Sequence, residues 1–198
     1  MKTLVLASGS QARQRLLRDV GVRFEIKPAM VDETAILSSL VAEGASERDS
    51  ADLLAELKAV QVSRALDGCL VIGSDQILSL GKKFFQKPAT FEAAREQLKQ
   101  LRGQTHVLTS AVCIAENGAV IWRHVSQARL TMREFSDAFL DGYLHEVGDE
   151  VLNSVGAYHV EGRGLQMFSR IDGDLFTIQG LPLLPLLDFL RLHGLLVS

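Results

Sequence analysis

The first seventeen residues limit the possible folds of this chain more than any other segment does. Thr3–Ala7 is an apolar run of strand length, and it leads through a short polar loop into residues with helical spacing. Ser10 is a preferred helix N-cap, and Leu16 and Leu17 give the helix an apolar face. The chain therefore begins with a strand, a polar loop and a helix.

The loop between this strand and helix has the composition of an anion site. Free backbone N–H groups and the positive end of the helix dipole bind phosphate oxygens well at such a position. Ser8 and Ser10 add hydroxyl donors, and Arg13, about one turn into the helix, can form two hydrogen bonds with a phosphate. Because a strand followed by a capped helix is common, this segment alone does not assign a function.

Apolar spacing and turn residues divide the rest of the chain into further elements. Helices are predicted from about Asp49 to Leu66, from the cap Thr90 to about Leu101, after the cap Ser136, and from about Pro182. Strands are predicted at Val22–Ile26, Cys69–Gly73, Ile77–Leu80, Lys83–Phe85, His106–Ala115, Ala119–Arg129 and Leu165–Ile171. Val31–Thr34 is predicted to open a polar connection. The sequence thus predicts an α/β fold, with a mixed twisted sheet, flanking helices and two lobes around a central cleft.

Charge and composition exclude several classes of protein. The net charge of −3 provides no basic field of the kind that nucleic-acid-binding proteins use. The sequence predicts no signal peptide and no membrane span, because prolines and charges interrupt its leucine-rich C-terminal segment. Cys69 and Cys113 both lie in apolar runs and are predicted to be reduced core thiols. We therefore expect a cytoplasmic protein that binds neither nucleic acid nor a membrane.

Four polar positions interrupt the apolar elements, and their chemistry is complementary. They are Asp32-Glu33, Lys58 in a predicted helix, Asp75 at the end of a predicted buried strand, and Lys87 before a proline. Ligands of open α/β sheets bind at the C-terminal ends of such strands. Glu33 and Asp75 suit a magnesium ion, which takes one or two carboxylates plus substrate phosphates, and Arg13, Lys58 and Lys87 would neutralise a polyphosphate. Each residue taken alone also fits an ordinary turn, loop or solvated helix face.

The order of these groups resembles that of the Maf family of nucleotide pyrophosphatases, which have an ITPase-like fold. The matching segments are Ser8-x-Ser10-x-x-Arg13-x-x-Leu16-Leu17, Asp32-Glu33, Leu54-Ala55-x-x-Lys58-Ala59, Ile72-Gly73-Ser74-Asp75, Lys87-Pro88, Leu101-x-Gly103-x-x-His106, Gly156-Ala157-Tyr158, Asp172-Gly173-Asp174 and Gly180-Leu181-Pro182-Leu183. They extend over nearly the whole chain, so the resemblance implies a single Maf-like domain over residues 1–198.

The resemblance implies hydrolysis of a nucleoside triphosphate to the monophosphate and pyrophosphate, with Mg²⁺ or Mn²⁺ as the divalent cation. It makes Asp75 the proton acceptor that activates water, and it places the metal at Glu33 and Asp75. It assigns phosphate binding to Ser8, Ser10, Arg13, Lys58 and Lys87. How Asp75 divides its role between base and metal ligand stays open at this point.

Three positions bear on the choice of base. Gln76 and Glu161 stand where many Maf proteins have threonine and glutamine, and this pair is similar to the branch that acts on 7-methyl-GTP. The carboxylate of Glu161 can accept both the N1–H and the 2-amino hydrogens of guanine, whereas uracil pairs better with an amide. Ala12 departs from that branch, which typically has a tryptophan there to stack on the cationic base. The expected substrate is 7-methyl-GTP or another modified nucleotide.

Two alternatives remain beside this expectation. One is a dTTP or UTP pyrophosphatase of the same family, and the other is a non-catalytic, nucleotide-binding regulator of septum formation. Retention of Asp75, Glu33 and Lys87 favours the enzyme. The resemblance also implies a homodimer, although no stripe of residues in the sequence identifies an interface.

Overall fold

The computed structural model describes residues 2–197, which form seven α-helices and seven strands. The helices are α1 Gln11–Asp19, α2 Glu33–Ala42, α3 Glu47–Ser63, α4 Phe91–Leu101, α5 Asp137–Val147, α6 Leu175–Ile178 and α7 Leu183–Leu192. The strands are β1 Leu4–Leu6, β2 Glu25–Ile26, β3 Leu70–Leu80, β4 Lys83–Phe85, β5 Thr105–Glu116, β6 Ala119–Met132 and β7 Phe168–Asp172. Within residues 2–197, no helix combines the length and apolar character that a membrane crossing requires.

The strands form one mixed sheet, as predicted. Its order is β2-β1-β3-β5-β6-β7, and β4 pairs with β3 beside this path. β1 runs parallel to both β2 and β3, whereas the β3–β4 and β6–β7 pairs are antiparallel. The turn residue Asn117, with a positive φ of 50°, joins β5 to β6 as its Asn-Gly sequence predicts. The α/β prediction with a mixed sheet and flanking helices is confirmed.

Strand β3 is longer than predicted, and this changes the position of Asp75. The expectation was a strand ending at Gly73, with Asp75 just beyond it, but β3 continues without a break to Leu80. Pairing with β1 nevertheless stops at Ile72, whose carbonyl accepts a hydrogen bond from Ala7 N at 2.8 Å. Asp75 thus lies inside a strand yet beyond the end of its parallel neighbour.

Three further predictions need correction. Val31–Thr34 opens no polar connection, because Asp32 accepts a hydrogen bond from Ala35 N at 3.0 Å and caps α2. The predicted strand Leu165–Ile171 begins only at Phe168, since the preceding residues form a 3₁₀ helix. Pro182 is the N-cap of α7 and not a first-turn residue. The predicted caps Thr90 and Ser136 are confirmed by their hydrogen bonds to Ala93 N and Phe139 N.

The chain divides into two compact units. The first contains the residues up to Gln76, Thr109–Ser126 and the residues from Phe176 onward, and the second contains Ile77–Leu108 and Gln127–Leu175. The first unit has an apolar core of β1, β3, β5, α1 and α7 residues, whereas His106, Tyr158 and Phe168 form an aromatic cluster in the second. The single domain and the central cleft stay predictions.

Candidate active site

The loop from β1 to α1 positions two serines and an arginine. Ser8 Oγ accepts hydrogen bonds from Ser10 N and from Arg13 Nη1, both at 3.2 Å. Ser10 Oγ caps α1 by accepting a hydrogen bond from Arg13 N at 3.5 Å. A hydroxyl group accepts two hydrogen bonds and donates one. The hydrogen of the Ser8 hydroxyl therefore remains for an incoming oxygen such as that of a phosphate.

Arg13 is a buried cation, with only 8% of its surface exposed. Its Nε donates to the carbonyl oxygen of Gly180 at 2.8 Å, so one edge of the guanidinium is fixed by backbone. Burial lowers the pKa of Arg13 from its ordinary value, and attraction by Asp75 and Glu33 opposes that shift. These electrostatic interactions place Arg13 in one cluster with the two carboxylates.

Lys58 lies between the two carboxylates. Its Nζ is 2.5 Å from Asp75 Oδ1 and 2.7 Å from Glu33 Oε1. Lys58 and Asp75 are buried, whereas the side chain of Glu33 is 55% exposed. Burial raises the pKa of Asp75 above its usual value, while Lys58 and Arg13 act in the opposite direction. A carboxylate of raised pKa beside two cations is suited to accept a proton.

Close packing of α3 on β3 brings Lys58 to Asp75. A β-carbon at Gly73 would lie 2.1 Å from the carbonyl oxygen of Ala55 and 2.7 Å from Ala59 Cβ, so only glycine fits there. Ala55 and Ala59 are themselves fully buried on the same helix face. The small residues of the Leu54–Ala59 and Ile72–Asp75 segments thus let the helix approach the strand at this point.

Glu33 reaches the cluster from the first turn of α2. The segment before it is held by Gln61 of α3, whose side chain accepts from Met30 N at 2.7 Å and donates to Met30 O at 2.9 Å. Asp32 serves as the helix cap. Of the predicted Asp32-Glu33 pair, Glu33 therefore contributes to the cluster and Asp32 has a structural role.

The donor set is compatible with a magnesium-type ion that the substrate helps to bind. Among residues 2–197, no group of three or more His, Cys, Asp or Glu side chains could hold a metal. Glu33 and Asp75 would supply two hard oxygen ligands, and the charges of Arg13 and Lys58 cancel theirs. A polyphosphate therefore meets a cluster of zero formal charge, and a divalent cation would supply the missing attraction.

The residues predicted to select the base, and the predicted phosphate ligand Lys87, are divided between the two units. Gln76 follows Asp75 in β3, and its Nε2 atom donates to Ser110 Oγ at 3.0 Å and to backbone carbonyls. Ala12 is half-buried in α1. Lys87 is exposed, follows β4 and belongs to the second unit. Glu161 is also in the second unit, where its carboxylate is 32% exposed and lies 4.0 Å from His159 Nδ1.

Sequence reasoning missed three contributors to the cluster. Ser74 Oγ donates to the carbonyls of Gly180 and Ala111 at 2.9 and 2.7 Å, so it supports the same backbone acceptor that holds Arg13. Gln61 fixes the approach to α2. Gly180 lies in Gly180–Leu183, one of the segments that resemble the Maf family. Its contact is made by the main chain, however, and a sequence pattern does not reveal main-chain contacts.

Comparison with known proteins decides the family. The sequence profile described as "Maf-like protein" matches residues 3–193. The chain belongs to the Maf family. A Maf relative from Paramagnetospirillum magneticum, named nucleoside triphosphate pyrophosphatase, is 52% identical over 193 residues, which are 98% of this chain and 100% of the relative.

Other Maf relatives carry a more specific name. A 7-methyl-GTP pyrophosphatase from Brucella suis is 53% identical over 188 residues, which are 95% of this chain and 94% of that protein. A protein of the same name from Rhizobium meliloti is 50% identical over 191 residues and 96% of each chain. Because the general and the specific name occur at similar identity, overall identity alone does not select the base.

Proposed function

We propose that this Maf protein is an enzyme that hydrolyses nucleoside triphosphates to the nucleoside monophosphate and pyrophosphate. The observation that carries the proposal is the ion cluster in which the buried Lys58 contacts both the buried Asp75 and the exposed Glu33. Arg13 adds a second buried cation beside these carboxylates, next to the start of helix α1. The names of relatives with about half of their residues identical agree with this chemistry.

The proposed reaction is attack of water on the α-phosphorus, with pyrophosphate leaving. Asp75 accepts the proton of the water, since its raised pKa makes its carboxylate a stronger base than an exposed aspartate. Lys58 and Arg13 contact the phosphate oxygens, where charge develops in the transition state. Ser8, Ser10 and Lys87 are proposed as further phosphate ligands. Mg²⁺ or Mn²⁺, held by Glu33, Asp75 and phosphate oxygens, would neutralise the phosphate tail.

We propose 7-methyl-GTP as the preferred substrate and Glu161 as the residue that selects it. A partly exposed carboxylate is available to accept the two hydrogens on the guanine edge, and its charge attracts the cationic methylated base. Ala12 offers no aromatic face for stacking, so this preference depends on Glu161 and not on a cation–π contact. Gln76 accompanies Glu161 in the 7-methyl-GTP branch.

One substrate panel tests the reaction and the preference together. Pyrophosphate release is measured from 7-methyl-GTP, GTP, dTTP and UTP, with and without Mg²⁺ or Mn²⁺. We expect 7-methyl-GTP to give the highest kcat/KM, and Asp75→Asn to lower kcat on every nucleotide by about 10³-fold, as loss of a general base does. Asp67→Asn, the same change at an exposed loop residue, should retain full activity.

The panel also separates the base preference from the reaction. Glu161→Gln should reduce the advantage of 7-methyl-GTP over dTTP by about tenfold, because one charged hydrogen-bond partner is lost. Glu150→Gln is the matched control, since it is the backbone of Glu150 that contacts His159. Equal or faster hydrolysis of dTTP by the unmodified protein would contradict the preference, and full activity of Asp75→Asn would contradict the mechanism.

We also propose a cytoplasmic location and a homodimer. Cys69 and Cys113 are both free thiols, as is usual in a reducing compartment. The dimer follows from the family resemblance, and light scattering of the purified protein would measure it directly.

A further inference from the structure

Helix α3 holds the segment Met30–Glu33 at both of its ends. The side-chain amide of Gln61 pairs with both main-chain groups of Met30: its oxygen accepts from Met30 N at 2.7 Å, and its nitrogen donates to Met30 O at 2.9 Å. One turn earlier on the same helix, Lys58 Nζ lies 2.7 Å from Glu33 Oε1. Side chains three positions apart are neighbours on one helix face. A single face of α3 therefore contacts the start and the end of this segment.

Side-chain packing does little to hold the same segment. The side chain of Met30 is 90% exposed, so this residue is held through its backbone. The side chain of Glu33 is 55% exposed, and Leu37 is the buried residue of α2. Asp32 caps α2 from within the segment itself. The two hydrogen bonds of Gln61 thus connect the entry to α2 with helix α3 of the first unit.

We propose that Gln61 is a positioning residue for Glu33, and that it thereby sets how strongly the site binds a divalent cation together with a phosphate chain. It acts through the backbone of Met30, which determines where α2 begins and where the first carboxylate of that helix lies. The inference rests on the proposed function, in which Glu33 is a ligand of Mg²⁺ or Mn²⁺.

The requirements of the ion explain why such a support matters. Mg²⁺ demands near-octahedral geometry, so a carboxylate that binds it must be directed accurately. An exposed glutamate loses rotamer freedom on binding, and a backbone that is already fixed limits the loss to the side chain. Both hydrogen bonds of Gln61 are solvent-exposed, so water can replace them in a variant at little cost to folding. Their removal should therefore weaken ion binding more than it weakens the fold.

Inorganic tripolyphosphate tests this inference, since it carries the phosphate chain and no base. Calorimetry measures its affinity once with Mg²⁺ and once with EDTA, and the ratio of the two affinities is the metal gain. We expect Gln61→Met, which keeps the side-chain length and removes both hydrogen bonds, to lower the metal gain about fivefold. The affinity in EDTA should change by less than about twofold, because Arg13 and Lys58 remain to bind phosphate. Gln104→Met, at an exposed residue of the second unit, is the matched control and should leave both affinities unchanged.

A double-mutant cycle with Glu33→Gln shows whether Gln61 acts through this carboxylate. In the Glu33→Gln protein, Gln61→Met should change the metal gain by less than about twofold, because the ligand that Gln61 positions is already lost. Thermal melting curves identify variants that do not fold. If Gln61→Met does not fold, Gln61→Asn takes its place, since it keeps the amide on a side chain one methylene shorter, and the same results are expected.

The outcomes separate this inference from the function it rests on. The positioning role alone is overturned if the unmodified protein and Gln61→Met show the same metal gain, or if the two substitutions have additive effects in the cycle. A loss of affinity of equal size in Mg²⁺ and in EDTA would make Gln61 a general support of the fold and overturn it as well. If Mg²⁺ gives the unmodified protein no gain over EDTA, the metal role of Glu33 and this inference are contradicted together.

Discussion

Lys58 is the residue on which the charge of the candidate site depends. Its ammonium group contacts a carboxylate on either side, at 2.5 Å from Asp75 and 2.7 Å from Glu33. A divalent cation would use these same oxygens. Lysine and metal would therefore compete for the two carboxylates until phosphate oxygens arrived and offered the ammonium group new partners. The protein alone is expected to bind metal weakly, and metal and nucleotide to strengthen each other's binding.

Lys58→Met tests this competition without a catalytic assay. Removal of the ammonium leaves two carboxylates without their cation, so Mn²⁺ affinity in the absence of nucleotide should rise by about tenfold. Electron paramagnetic resonance titration at pH 8 measures free Mn²⁺ directly. Lys82→Met, at an exposed turn lysine, should leave the affinity unchanged. Unchanged or weaker Mn²⁺ binding by Lys58→Met would show that the lysine does not occupy the metal position.

At the scale of elements, the contact between α3 and β3 determines where the cluster forms. Gly73 allows α3 to lie against the strand, and Lys58 stands between the two buried alanines that make this contact. Strand β1 ends its pairing at Ile72, so β3 continues alone on that side toward Asp75. The site thus depends on Gly73, which lets α3 approach β3 closely. It also depends on the short strand β1, which leaves β3 without a parallel neighbour on that side at Asp75.

Alanine substitutions at two glycines should therefore have opposite effects on stability. Gly73→Ala would place its β-carbon on the α3 backbone, and overpacking of this kind costs about 1–3 kcal/mol of unfolding free energy. Gly142→Ala lies within helix α5, where the added β-carbon meets only Arg163 Nη2 at 3.7 Å. It should stabilise the protein by about 0.5–1 kcal/mol, because alanine favours the helix. Urea denaturation of both variants measures the difference, and equal stabilities would contradict the packing argument.

At the scale of the whole molecule, buried His106 makes the stability of the folded protein depend on pH. It is fully buried in the second unit, its Nε2 lies 2.7 Å from the Tyr158 hydroxyl, and its Nδ1 has no partner among the described residues. Burial lowers the pKa of His106 from 6.5 to about 4. The unfolded chain therefore binds a proton below pH 6.5 that the folded protein takes up only near pH 4.

This difference should destabilise the folded protein in acid. The stabilisation from neutral, buried His106 is complete above pH 6.5 and falls as the pH decreases toward 4, with a loss of about 2 kcal/mol between pH 7.5 and pH 5. Denaturation curves at these two pH values should show a smaller difference for His106→Gln, which does not titrate. His145→Gln, at an exposed residue, should behave like the unmodified protein. An unchanged pH dependence in His106→Gln would contradict this explanation.

Much of this organisation could be predicted from the sequence, because its signals are local. Helix caps such as Thr90 and Ser136 and the Asn117-Gly118 turn act over three or four residues, and the structure confirms them. The association of Lys58 with Asp75 and Glu33 was a hypothesis from their complementary chemistry, which the family resemblance strengthened; spacing gave no signal, since these residues lie on different elements.

The missed features depend on contacts between distant parts of the chain. Helix α2 has little amphipathic character and only Leu37 is buried in it, so its periodicity gave no clear signal. The strands Cys69–Gly73 and Ile77–Leu80 were predicted separately, whereas β3 runs through both of them from Leu70 to Leu80 without a break at Asp75. The main-chain carbonyl of Gly180 accepts hydrogen bonds from Arg13 and Ser74, but no residue type in the sequence indicates a main-chain acceptor.

The hydrogen bond from Arg13 to Gly180 joins residues separated by 167 positions. During synthesis, the N-terminal loop leaves the ribosome long before its carbonyl acceptor has been translated. A nascent chain therefore carries an arginine without its anchor until translation has passed residue 180.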